Sequence, residues 1–232
     1  MEYMDQNTPE NFASSSPIAE VNDVFSRVFL WMFEGLFVTG IIAYLIYSSG
    51  LVFTVCTPPL IYVCIIAELV LVIATTAAIR KLSPTIAASL FIAYSAINGV
   101  TLSSIFVLYD ISSIGVILIE TSLLFGVLAF IGYTTKVDVS KWGTVLLVAL
   151  LVSIVASIIN LFIGNTGLDL AITWITLLIF GGLTIYDTNK IKNLMAVESD
   201  VKRVAIYGAL ELYLDFINIF LKLLRLFGKR RN

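Results

Sequence analysis

The chain has 232 residues, 59% of them hydrophobic and only 13% charged, with a mean hydropathy of +1.00 and a formal net charge of −2. A water-soluble domain of this size needs more polar surface, and a near-neutral chain with no basic stripe excludes a nucleic-acid partner. There is no histidine, which removes Ser-His catalysis, histidine metal ligation and the usual histidine pH switch together.

Residues 1–26 hold Ser, Asn, Pro and five acidic groups. They lack a basic leader and a cleavage site, so they read as a short flexible tail and not as a secretory signal. A bilayer core requires roughly 20 apolar residues per helical span. Such runs follow one another at about 27–48, 58–79, 85–108, 112–133, 142–163, 168–189 and 204–227. Only helices fit, because lipid cannot satisfy open backbone groups and the runs are too long for barrel strands. The expected fold is an all-α integral membrane domain of seven helices over 27–228, followed by a basic tail at 229–232. Pro58, Pro59 and Pro84 stand at helix starts, where proline is tolerated. Cys56 and Cys64 form neither a CxxC motif nor a metal clamp and read as membrane-buried thiols.

Lys and Arg mark the sides. Arg80 and Lys81 follow the second span, Lys136 and Lys141 the fourth, and Lys190, Lys192, Lys202 and Arg203 the sixth. The alternate loops, 49–57, 109–111 and 164–167, carry none. The basic loops and the N-terminus are therefore expected in the cytoplasm. Lys229, Arg230 and Arg231 conflict with this rule if the seventh segment crosses fully. That segment also carries Glu211, Asp215, Lys222 and Arg225. It either crosses shielded by the other helices or dips in and returns.

Each ionisable residue inside a span needs a reason. Asp215 lies about a dozen residues into the last helix, and Asp187 near the cytoplasmic end of the sixth span. The short connecting loop makes these helices antiparallel, so the two carboxylates can meet below the surface. Such a pair titrates as a unit. It could sense pH, bind a divalent cation or do acid–base chemistry; otherwise Asp187 caps a helix end in water and Asp215 makes a structural hydrogen bond. Glu68 in the second span and Glu120 in the fourth are candidates for an oxygen-lined path of the kind that suits Ca²⁺, or protonated acids bonded to a neighbouring helix. Arg80 is a candidate counter-ion that latches the carboxylates, or an arginine snorkelling to the interface. Asn98 and Asn160 read as helix–helix hydrogen bonders. Gly99, Ser103, Ser104, Gly126, Gly181 and Gly182 read as close helix packing.

Four stretches resemble the Bax inhibitor-1 (transmembrane Bax inhibitor motif) family, in its bacterial YbhL/YccA-like branch. They are Ala96-Ile97-Asn98-Gly99-Val100-Thr101-Leu102-Ser103-Ser104-Ile105-Phe106, Gly132-Tyr133-Thr134-Thr135-Lys136, Gly182-Leu183-Thr184-Ile185-Tyr186-Asp187-Thr188 and Leu212-Tyr213-Leu214-Asp215-Phe216-Ile217-Asn218-Ile219-Phe220. The resemblance runs from about residue 25 to 231. It implies six helices surrounding a central last one, and a pH-sensitive calcium leak in which two aspartates, here Asp187 and Asp215, act as sensor and as the Ca²⁺-facing site. By the same resemblance Arg80 is the latch and Glu68 the acid of the second span. It implies the bacterial cytoplasmic (inner) membrane, with lipid, Ca²⁺ and protons as partners and no bound cofactor. Some relatives are linked to a membrane-bound protease, which keeps open an accessory role with a membrane-protein partner. An intramembrane aspartyl protease is a third reading, since Tyr186-Asp187 matches the first motif of such enzymes. The second motif, Gly-x-Gly-Asp, is absent where the chain reads Leu212-Tyr213-Leu214-Asp215, so an enzyme is not expected.

Overall fold

The computed structural model describes residues 17–57, 59–79, 83–195 and 200–231, and these are helical with short connections. α1 (Pro17–Ser48) is followed by the single turn α2 (Val52–Val55), then α3 (Leu60–Ile79), α4 (Pro84–Leu102), the short α5 (Ile105–Leu108), α6 (Ile111–Thr134), α7 (Trp142–Ile163), α8 (Thr166–Met195) and α9 (Val201–Phe227). α1 begins well before the expected span start at residue 27. Proline at the first helical position loses no intrahelical bond, and Val24, Phe25 and Val28 are buried in the core. Residues 17–26 therefore extend the first helix, and the tail assignment for 1–16 lies outside the described residues.

Among the described residues, six helices are long and apolar enough to cross a membrane: Asp23–Ser48, Pro84–Leu108, Ile111–Thr134, Trp142–Ile163, Thr166–Met195 and Val201–Phe227. The second of these joins α4 and α5 across Ser103 and Ser104. Their hydroxyls donate back to the Val100 and Thr101 carbonyls, which interrupts the helix without ending the span. α3 has a shorter apolar stretch, Leu60–Thr75.

Apart from the short α2 and α5, successive helices run antiparallel. One end of the bundle holds the start of α1, where the Phe25 and Tyr133 rings meet edge to face at 4.9 Å, and the end of α8, where Lys192 donates to the Tyr133 carbonyl. This is the end of the basic loops. The opposite end gathers Tyr47, Phe106 and the C-terminus. There Asp110 N donates to the Lys229 carbonyl and Arg231 N to the Leu108 carbonyl, each at 3.0 Å. Arg231 also donates to the Tyr47 hydroxyl at 2.6 Å. α9 thus runs unbroken from one end to the other and does not turn back. Its basic tail is anchored at the end away from the basic loops, with Lys229 3.5 Å from the Asp110 carboxylate.

α9 is the most enclosed helix, packed by α1, α4, α6 and α8 with α3 at its edge. α7 departs from the expected ring of six. It packs on α8 at the periphery, and Phe162 near its end is 89% exposed. An apolar helix gains nothing by leaving lipid, whereas one bearing Glu211, Asp215 and Lys222 does. α9 is tied to α1 and α4 by Tyr213, whose hydroxyl bonds Thr39 Oγ1 at 2.6 Å. The Phe91 and Tyr94 rings of α4 meet the Tyr213 ring edge-on at 5.5 and 5.8 Å.

The small residues have different roles. A Cβ on Gly132 would stand 2.5 Å from the Ile185 carbonyl oxygen, and one on Gly99 2.7 Å from that of Thr39. These glycines let α6 approach α8 and α4 approach α1. Gly181 and Gly182 meet only the side chains of Leu128 and Leu146, and Gly126 faces open space. Gly126 is therefore not a packing residue, contrary to the sequence expectation. Gly132→Val should cost about 1–3 kcal/mol and lower the melting temperature of the purified protein, while Gly126→Val leaves it unchanged; equal melting temperatures would contradict the close α6–α8 contact. Tyr213→Phe should cost about 1 kcal/mol, read in the same thermal unfolding experiment.

Candidate functional site

The sequence-predicted pair comes together on α8 and α9. Asp187 is 9% exposed and Asp215 3%, and Asp215 lies within the field of the Asp187, Glu211 and Lys190 charges. Helical spacing explains the alignment. On α8, Thr184, Asp187 and Lys190 recur every third residue; on α9, Tyr207, Glu211 and Asp215 recur every fourth. Each set lies on one helix face. Antiparallel packing sets the two stripes opposite each other as a ladder of three rungs. Innermost, Thr184 lies beside Asp215, its hydroxyl donating to the Phe180 carbonyl at 2.9 Å. Next, Asp187 meets Glu211. Outermost, Lys190 meets Glu211 and Tyr207.

The outer rung is closely knit. Lys190 Nζ donates to both Glu211 oxygens at 2.9 and 3.0 Å and to the Tyr207 hydroxyl at 2.5 Å, and Tyr207 donates to Glu211 Oε1. Lys190 Nζ is 3.8 Å from Asp187 Oδ1 and lies over the Tyr207 ring, 4.9 Å from its centroid. Side-chain exposure falls from 29% at Lys190 through 19% at Glu211 to 12% at Asp187. The ladder is thus reached from the basic end and closes toward Asp215, whose Oδ2 is buried with no hydrogen-bond partner.

A second polar cluster lies against α3 and α4. Thr101 Oγ1 donates to Glu68 Oε1 at 2.5 Å, and also lies 2.9 Å from the Asn98 carbonyl. Asn98 Oδ1 is buried without a partner. Glu68 acts on Tyr94 and Tyr213. Tyr213 lies two residues from both Glu211 and Asp215, so it projects from the other side of α9. Glu68 is therefore separated by α9 from the aspartate pair.

Glu120 does not join either cluster. It is exposed on the outer face of α6 together with Val116, Ile119, Leu123 and Val127. The inner face of α6 is taken by Ile117, Thr121 and Phe125, and one helix cannot turn both sets inward. Arg80 lies outside the described residues. Asn160 does not bridge helices. Its amide clamps the turn after α7, donating to the Asn165 carbonyl at 3.0 Å and accepting from Asn165 N at 3.2 Å.

The sequence pattern places Lys190 between the sixth and seventh spans and gives Glu211 and Tyr207 no part in the site. The signal was the 3- and 4-residue spacing from Asp187 and Asp215. Lys190 falls on the ladder because α8 continues to Met195, beyond the expected span end at 189. Among the described residues no group of three or more acidic or cysteine side chains is arranged to hold a metal ion by itself.

Residues 21–232 match the family model described as inhibitor of apoptosis-promoting Bax1. The inner membrane protein YbhL of Escherichia coli K12 is 40% identical over 230 residues, covering 96% of this chain and 98% of that protein. An uncharacterized protein of Borreliella burgdorferi is 36% identical, covering 91% and 94% of the two chains. One from Deinococcus radiodurans is 35% identical, covering 91% and 92%. With six apolar membrane-length helices and a full-length match to YbhL, this is a multi-pass inner membrane protein, and the chain belongs to the Bax inhibitor-1 family.

Proposed function

We propose that the protein is a calcium leak of the inner membrane whose flow is set by the protonation of the Asp187–Asp215 pair. The observation that carries this reading is the buried ladder that opens at the basic end and stops at Asp215, whose Oδ2 has no partner. A carboxylate oxygen left unpaired in a low-dielectric interior is costly unless a proton, a cation or water meets it. Two carboxylates in one site gain or lose charge as a unit. Protonation exchanges their mutual repulsion for a shared hydrogen bond and so shifts a two-state equilibrium of α8 against α9.

In this reading α3 is the seventh pass, α9 the central helix, and the basic end with the N-terminus faces the cytoplasm. Ca²⁺ is cargo and favours the oxygen ligands present here. The Glu68–Thr101–Asn98 cluster, which has its own unpartnered oxygen at Asn98 Oδ1, is the second polar station along the path. The protein does no covalent chemistry, in keeping with the missing Gly-x-Gly-Asp motif.

A second reading, a regulator of another membrane protein, is favoured by Glu34 and Glu120. Both lie in the middle of spanning helices and are exposed on their outer faces, where lipid offers a carboxyl group nothing. A partner helix carrying a hydrogen-bonding or basic side chain would meet them. The two readings separate in liposomes. Purified protein should carry Ca²⁺ at a rate that changes between acid and neutral pH, and the change should flatten in Asp187→Asn with Asp215→Asn. A pH curve identical to wild type in that double variant removes the sensor role. No flux above protein-free liposomes, from protein of normal melting temperature, removes the leak and favours the regulator. The double variant Glu34→Leu, Glu120→Leu should leave flux intact if the leak needs no partner.

A further inference from the structure

The geometry points to Lys190 as a tethered blocking cation: its ammonium group occupies the entrance to the aspartate pair in place of an incoming metal ion, and Glu211 with Tyr207 is the seat that holds it there. The inference rests on the cation-leak reading for its consequence, though not for its structural basis.

Three carboxylates share the ladder: Asp187 on α8, and Glu211 and Asp215 on α9. Among the described residues, the charged or polar groups beside them are Lys190 and Thr184 on α8 and Tyr207 on α9. Lys192, two residues further on, is turned away; it donates to the Tyr133 carbonyl and lies over that ring at 5.1 Å. Among the described residues, Lys190 is therefore the cation that offsets this cluster. It stands one turn outward of Asp187, between the pair and the basic end, and is the most exposed of the ladder carboxylates and amine. Any cation arriving from that end meets the ammonium group before it meets Asp187.

The chemistry of the side chain suits the role. A lysine ammonium is a compact point charge with three rotatable donors on a flexible four-carbon stem. Its donors are used here on the Tyr207 hydroxyl and the two Glu211 oxygens, with Asp187 an ion-pair neighbour at 3.8 Å. An arriving divalent ion offers the same carboxylates a higher charge, so the two compete for the same oxygens. The stem lets the amine withdraw toward the basic end when displaced. Tyr207 strengthens the seat by donating its own proton to Glu211, so that a single carboxylate accepts from both neighbours in a site shielded from water.

The test uses full-length protein in liposomes and Ca²⁺ as the probe. Removing the ammonium group in Lys190→Met should raise the initial Ca²⁺ flux about three- to thirty-fold, on the scale of one charge interaction lost near carboxylates. Lys190→Met with Glu211→Gln removes both halves of the ion pair and guards against an unpaired buried acid; it should retain the raised flux at a melting temperature near wild type. Lys190→Arg, which keeps the charge, should stay close to wild type. Wild-type flux in a folded Lys190→Met, Glu211→Gln protein overturns the blocking role. A separate measurement does not depend on flux. Added CaCl₂ should speed the acylation of Lys190 by an amine-reactive ester several-fold relative to Lys192, read by mass spectrometry of the labelled protein. No change in that ratio overturns displacement of Lys190. Displacement without wild-type flux would uphold the tethered cation and remove the leak.

Discussion

The arrangement of the whole molecule depends on the cost of facing α9 to lipid. Glu211 and Asp215 lie on one stripe of that helix and Tyr213 on the opposite side, so it carries polar groups on two sides. Hydrocarbon cannot solvate these groups, and each needs a protein partner. The other helices supply them by face. α8 answers the acids with Thr184, Asp187 and Lys190, and α1 answers Tyr213 with Thr39 while α4 packs its rings around it. α7 has no such groups to satisfy and remains outside.

Enclosing α9 requires backbones to approach closely on several sides. Gly132 and Gly99 remove the Cβ atoms that would otherwise keep α6 from α8 and α4 from α1. Gly208 does the same where α9 passes Ile191 and Val28. Side chains then need not reach far, and the Lys190 amine can sit within 3.0 Å of Glu211 without extending into water. Tight packing and a polar interior are thus linked: the glycines bring the helices close enough for buried charges to be compensated inside the protein.

The same packing gives the ladder its direction. Its outer rung is a satisfied ion pair, and its inner end is a carboxylate with an open oxygen. Satisfied groups hold one conformation, while an unsatisfied buried oxygen responds to whatever reaches it. α8 and α9 pack antiparallel, so the contact that begins at Asp215 runs through Asp187 and Glu211 to Lys190 at the basic end.

The membrane class, the helix order and the Asp187–Asp215 pair were all legible in the chain. Apolar runs of bilayer length, short polar links and an aspartate deep in the last run follow from composition and spacing alone. The limits of α1 and α8 were not, because a helix that packs on its neighbours extends past the point where its apolar run ends. That is why Pro17–Ser26 became helix and Lys190 entered the site. Which face of α6 turned inward was equally hidden, since Glu120 and Thr121 are adjacent in the chain and only packing decides which is enclosed. The sequence by itself determined which segments lie in the bilayer, because that depends on each segment's transfer from water. The tertiary structure alone decided which polar groups meet, because that depends on helix rotation and close approach, set by glycines and side chains far apart in the chain.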